Sequence, residues 1–170
     1  SVGDSETMHA TGIVAWLRGD GRWKLLDGFD PAMSYPERLE IRRQALMSDL
    51  FITGVNAISM EGSLHWLDKV GNRIAPVAFG PRKVVIVDGR NKIVADRAQA
   101  EDRIRTIAAP QNVARHPGFR TPCARTGAAT CSTEGSNWPA KALTASSRAS
   151  PSGREPLSRM CSRMAPWRVF

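Results

Sequence analysis

The stretch GNRIAPVAFGPRKVVIVDGRNKIV, residues 71–94, decides how this chain is read. Inside it Val84, Val85, Ile86 and Val87 are consecutive β-branched residues, followed by Asp88 and Gly89. Branching at Cβ favours extended backbone, and an unbroken apolar run suits a strand covered on both faces. The run predicts a central parallel strand. Two Asn-basic pairs, Asn72-Arg73 and Asn91-Lys92, flank it, each close behind a glycine. In α/β sheets ligands gather beyond the carboxyl ends of strands, where glycine turns let the backbone approach. Asn donates and accepts hydrogen bonds, while Arg73 and Lys92 supply charge that suits a carboxylate or phosphate. For either pair alone the competing reading is a turn-forming Asn beside a solvated cation.

Outward from this stretch, the pattern alternates strands and helices. DRAQAEDRIRTIAAP predicts a helix over 97–107, capped by Asp96, with Ala100, Ile104 and Ile107 on one face and Pro110 ending it. PERLEIRRQALMS predicts a helix over 36–48 with Pro36 near its start. LFITGVNAIS and SLHWLD read as two strands joined by the polar turn Met60-Glu61-Gly62. At the start, Gly3, Asp4 and Ser5 form a loop feeding a helix over 5–17, with Asp4 or Ser5 as its cap. Strand, glycine turn and helix in succession indicate an α/β protein.

A chain of 170 residues suits one domain with a real core. Its net charge of +8 is unevenly placed. Residues 1–123 hold 17 Lys and Arg against 14 Asp and Glu, and residues 124–170 hold 7 against 2, so most of the basicity belongs to the tail. The tail has neither Ile nor Asp and no apolar periodicity, and it lacks an aromatic stacking platform or a nucleic-acid module. Nucleic-acid binding through the tail is therefore the weakest of the functional readings. No apolar run reaches the ~18 residues of a membrane span, and the sequence SVGDSETM has no leader character, so a cytoplasmic protein without membrane partners is expected.

Site chemistry is sparse. Glu61 is the acid best placed to act as nucleophile or base, weighed against an ordinary solvated turn carboxylate. No G-x-x-x-x-G-K-[ST] or G-x-G-x-x-G motif occurs, and no nucleophile elbow precedes a candidate triad. Cys123, Cys131 and Cys161 are an odd number of thiols. Cys123 and Cys131 are weak metal candidates because their spacing is not C-x-x-C, and no metal is assigned.

In order, VGDSET, SDLFITGVNAIS, the turn EG, the 71–94 stretch, RIRTIAAPQNVARH and TPCARTG resemble the LUD domain, the lactate-utilisation family of LutC and YkgG. The resemblance covers residues 1–127. It implies a three-layer Rossmann-like sheet of the NagB/RpiA/CoA-transferase-like type, incomplete at both ends. By this resemblance Gly3, Asp4 and Ser5 match a glycine-rich loop, Glu61 and Gly62 match a turn, and Asn72, Arg73, Asn91 and Lys92 match two basic motifs of the ligand edge. Relatives carry earlier elements ahead of the loop, and after TPCARTG they continue with a C-x-x-C pair and a closing strand. Residues 128–170 depart from that pattern, as a shifted reading frame would make them do, and are expected to be a disordered basic tail.

The resemblance implies a part in the use of lactate or a related organic acid, with a small organic acid, a phosphate or a CoA-like molecule as ligand. No cofactor is assigned, and catalysis itself stays open. The alternative is a non-enzymatic subunit that assembles with an iron–sulfur protein.

Overall fold

Val84, Val85 and Ile86 do enter a strand, and its neighbour is parallel. The computed structural model describes residues 1–116, 118 and 121–127, together with the backbone of a strand at 141–146. Strand β1 (Leu50–Thr53) pairs in parallel with β4 (Lys83–Ile86), setting Ile52 beside Val85 and Thr53 beside Ile86. The expectation of a central, doubly covered strand needs correction. Among the described residues β4 has one neighbour, and Val84, Val85 and Ile86 are only half-buried. The chain divides into two compact units.

The first unit comprises residues 1–55 and 71–89 of the described chain. Its amino-terminal segment runs alongside β1, with a parallel bridge between Val2 and Ile52 and a bond from the Gly3 amide to the Ile52 carbonyl at 2.8 Å. Three parallel segments thus lie in the order Val2, β1, β4. The predicted helix over 5–17 is two helices, α1 (Glu6–Ala10) and α2 (Ile13–Gly19), separated at Gly12, whose φ of 75° is left-handed. A left-handed residue cannot continue a right-handed helix, and glycine enters that region without steric cost. Met8, Val14 and Leu17 from these helices pack with Val2 and Val87 to form the core of the unit. Helix α3 (Tyr35–Gln44) starts at a capping box. The Glu37 amide donates to Ser34 Oγ at 3.5 Å and the Ser34 amide to Glu37 Oε2 at 2.8 Å, with Pro36 in the first turn as expected. A single 3-10 turn, Ala45–Met47, leads from α3 towards β1. Helix α4 (Ile74–Ala78) lies between the first Asn-basic pair and β4.

The second unit comprises residues 56–70 and, of the described chain, those from 90 to 146. It holds β2 (Ala57–Ser59), β3 (Ser63–Asp68), β5 (Ile93–Val94) and β6 (Lys141–Ser146) in the order β5-β2-β3-β6. LFITGVNAIS is therefore two strands in different sheets, a correction to the single strand expected. The break falls at Gly54, where the missing side chain weakens strand propensity and the chain leaves the β1–β4 pair. Strands β2 and β3 form the expected hairpin around Glu61, while β5 runs parallel to β2.

Helix α5 (Arg97–Arg103) packs on β2 and β3 and is capped by Asp96, whose Oδ1 accepts from the Gln99 amide at 2.8 Å. Pro110 does not end this helical run. A π turn, Ile104–Ala108, leads into α6 (Ala109–Ala114), with Pro110 in the first turn of that segment. The wider turn absorbs the mismatch that proline's missing N–H and bulky ring would otherwise create. It also rotates the face, so Ala100 and Ile104 are buried while Ile107 is 42% exposed. Helix α7 (Pro122–Thr126) is the last described helix. The disorder expected of residues 128–170 falls outside the described residues, except at β6, whose backbone pairs with β3.

Candidate functional site

In the first unit, three chain segments leave their parallel neighbours at one edge: Gly3-Asp4-Ser5 after Val2, Thr53-Gly54-Val55 after β1, and Val87-Asp88-Gly89 after β4. This is the carboxyl edge where ligands of α/β sheets are found. The approach of these segments is close. A Cβ on Gly54 would lie 2.5 Å from Ser5 Oγ and 3.1 Å from Asp88 Oδ1, so glycine is required there for the Ser5 loop to reach the strand ends. Gly3 is constrained in the same way by Thr53, whose side chain occupies the space a Cβ would need.

Asp88 is half-buried, and its Oδ2 accepts from the Val55 amide at 2.5 Å. The Val87 amide donates to the Thr53 carbonyl at 2.9 Å and ties the two turns together. Ser5 is 5% exposed, caps α1 without a side-chain capping bond, and its Oγ is fully buried with no hydrogen-bond partner among the described residues. An unpaired buried hydroxyl costs about 1–3 kcal/mol, which makes this loop conspicuous. Asp4, the alternative cap, instead faces His9, whose Nε2 lies 3.3 Å from its carboxylate.

The remaining predicted residues divide between the units. Asn72 and Arg73 belong to the first, half-buried, with Arg73 at the amino terminus of α4. Asn91, Lys92 and Glu61 belong to the second. Asn91 and Lys92 form a 3-10 turn directly before β5, whereas Glu61 is exposed in the turn after β2. Because β2 and β5 are parallel, with Ile58 level with Ile93, the Asn91-Lys92 turn lies at their amino end and Glu61 beyond their carboxyl end. The small sheet thus separates Glu61 from the basic pair in its own unit.

Three residues carry weight that sequence reasoning did not give them. Asp88 is one, signalled only by its place directly after the β-branched run. Arg103 is another: its Nη1 donates to the Asn56 carbonyl at 2.5 Å and its Nε to the Asn91 carbonyl at 3.2 Å, fastening the second Asn-basic turn. The third is His65 on β3, which is 1% exposed and has neither ring nitrogen bonded among the described residues. Burial holds its pKa below the ordinary value, helped by Arg97 and opposed by Glu101 and Glu61. Alternation along a strand signals a buried position, but not that the occupant will be a histidine without partners.

Cys123 is buried, with its Sγ 3.1 Å from Thr121 Oγ1, and Cys131 lies outside the described residues. Among the described residues no group of three or more His, Cys, Asp or Glu side chains could hold a metal ion. No described helix is long and apolar enough to cross a membrane.

Helices combined with parallel and mixed strands, and glycine turns at the ends of a parallel pair, define an α/β protein. Within that class the chain belongs to the LUD domain family, whose model matches residues 1–144. The family is associated with lactate-utilisation proteins. The match extends past residue 127, where the sequence pattern places the end of the domain, into β6. Comparison with curated proteins and with solved structures gave no match.

Proposed function

We propose that this chain is a LutC/YkgG-like LUD protein of lactate or related organic-acid use, acting in the cytoplasm and binding a small anionic ligand at the carboxyl edge of β1 and β4. The observation that carries the reading is the meeting of the Ser5, Gly54 and Asp88 turns at that edge, around a buried hydroxyl that lacks a partner. A site that gains a hydrogen bond when a ligand arrives explains why an uncompensated hydroxyl is kept there. Arg73, from the same unit, supplies the positive charge for a carboxylate or phosphate. The Rossmann-like arrangement of the NagB/RpiA/CoA-transferase type fits the same reading, since its ligands occupy this edge.

Calorimetry of the full chain with lactate, pyruvate, phosphate and acetyl-CoA tests the proposal. Saturable binding of at least one ligand, weakened in Arg73→Ala, is expected. Heats no larger than dilution for the whole panel would remove the ligand-binding reading.

The second reading, a non-enzymatic subunit assembling with an iron–sulfur protein, draws on one observation. Met47 and Phe79 are 88% and 93% exposed, on the 3-10 turn and beside α4, which contact each other. Apolar side chains so fully in water suit a surface that a partner covers. Co-sedimentation with an iron–sulfur protein, lost in Phe79→Ser, is the corresponding test.

A further inference from the structure

Helix α3 carries two arginines one turn apart, Arg38 and Arg42, where it packs against the turn at Gly28-Phe29. Both are half-buried. The approach is tight, for a Cβ on Gly28 would lie 2.5 Å from Arg42 Cγ and 2.9 Å from the Arg38 carbonyl oxygen. Arg42 is held on two sides: its Nε donates to the Gly28 carbonyl at 2.9 Å, and its guanidinium carbon stands 4.3 Å from the centroid of the Phe29 ring. Stacked and tethered in this way, the guanidinium has lost most of its freedom before any ligand arrives.

Among the described residues no carboxylate lies within ion-pair distance of Arg38 or Arg42, and the neighbouring Asp27 is bridged by Arg18 at 2.6 Å. Arg38 Nε is fully buried with no hydrogen-bond partner, while the Nη groups of both arginines reach solvent and are unbonded among the described residues. Burial, and after it the charge of Arg38, hold the Arg42 pKa below its ordinary value, against the opposing pull of Tyr35, Asp4 and Asp27. Like charges four residues apart on a helix repel, and partial burial adds to that cost. An anion spanning the two arginines offsets both.

We propose that Arg38 and Arg42 form a binding site for a tetrahedral dianion, either free phosphate or the phosphoryl group of a larger ligand. Two guanidiniums side by side match two negative charges, and their Nη groups donate to the several oxygens of a phosphate, whereas a carboxylate brings one charge and two oxygens. Phe29 and Gly28 set where Arg42 stands and act as positioning residues. The site shares no residue with the β1–β4 edge, so it stands or falls apart from the ligand-binding reading above.

Calorimetry of the full chain at pH 8, where phosphate is a dianion, tests the site with inorganic phosphate, methyl phosphate and acetate at constant ionic strength. At least one phosphate should bind at least about tenfold more tightly than acetate, since one further charge-assisted hydrogen bond is worth that factor. The tighter of the two phosphates tells the free ion from an esterified one. Arg38→Met keeps the aliphatic stem and breaks no described side-chain hydrogen bond, and it and Arg42→Gln should each weaken phosphate at least about tenfold. Arg43→Gln removes the same charge from an arginine paired with Glu40, and should leave binding unchanged. Equal weakening in Arg43→Gln would reveal diffuse attraction in place of a site and overturn the proposal, as would phosphate binding no tighter than acetate. Binding lost in Arg73→Ala but kept in Arg38→Met would place the anion at the β1–β4 edge, sinking this site and leaving that reading intact. If Arg42→Gln does not fold, Arg38→Met and the wild-type comparison still decide.

Discussion

Asp88 accepts a hydrogen bond from the backbone amide of Val55 at 2.5 Å, across 33 residues of sequence. Together with the Val87–Thr53 backbone bond, this contact joins the turn after β4 to the turn after β1, and Val55 is 1% exposed, so its amide has little access to water. Asp88→Ala should therefore destabilise the protein by about 1–3 kcal/mol, the usual cost of leaving a buried donor unsatisfied. Asp88→Asn should cost less, because its amide oxygen can still accept. Urea unfolding of both variants checks the order, and equal losses would show that the Val55 bond is not the source.

Gly54→Ala should destabilise through crowding. The added Cβ would lie 2.5 Å from Ser5 Oγ, and overpacking of this kind costs about 1–3 kcal/mol. Ser5→Ala removes the nearest atom, so the double variant should recover part of the loss, a non-additivity measurable in a double-mutant cycle. Strict additivity would mean that the two residues do not share this space.

His65 predicts an acid-sensitive stability. Burial lowers its folded-state pKa, so the folded chain holds it neutral while the unfolded chain binds a proton as pH falls through the ordinary imidazole range near 6.5. Its contribution is then fully present above that range and declines below it, with a slope of at most about 1.4 kcal/mol per pH unit. Urea midpoints between pH 8 and pH 5 should show this loss, and His65→Leu should flatten it. The leucine variant should also be close to wild type at pH 8, since it removes ring nitrogens that lack partners.

Arg103 organises the second Asn-basic turn through the carbonyls of Asn56 and Asn91. Arg103→Ala should cost about 1.5–3 kcal/mol, the range of hydrogen bonds made by charged groups. Arg103→Lys should rescue it only in part, because an ammonium lacks the planar fork that reaches two acceptors. Hydrogen exchange at residues 91–94 should quicken in the alanine variant. Unchanged exchange would show that β5 holds the turn without Arg103.

Local chemistry was sufficient for several features. The β-branched run from Val84 made a strand, Asp96 and Pro36 marked helix starts, and the Met60-Glu61-Gly62 turn joined β2 to β3. Ser5 and Gly3 were also legible as members of a loop feeding a helix. Each of these depends on neighbours within a few residues, through backbone propensity, capping or turn geometry. The ordered motifs identified the LUD family for the same reason, since they are local strings.

Tertiary structure decided the rest, because pairing and burial depend on residues distant in sequence. It placed β1 and β2, contiguous in LFITGVNAIS, in different sheets, and it gave β4 one described neighbour instead of two. It divided the predicted site residues between two units and set Glu61 and Asn91-Lys92 at opposite ends of the β2–β5 pair. No periodicity of the chain announces that Asp88 will meet the Val55 amide, or that Arg103 will reach Asn56 and Asn91. Those contacts exist because folding brings a side chain to a backbone group whose own neighbours cannot satisfy it, a condition set by three-dimensional burial and not by local sequence.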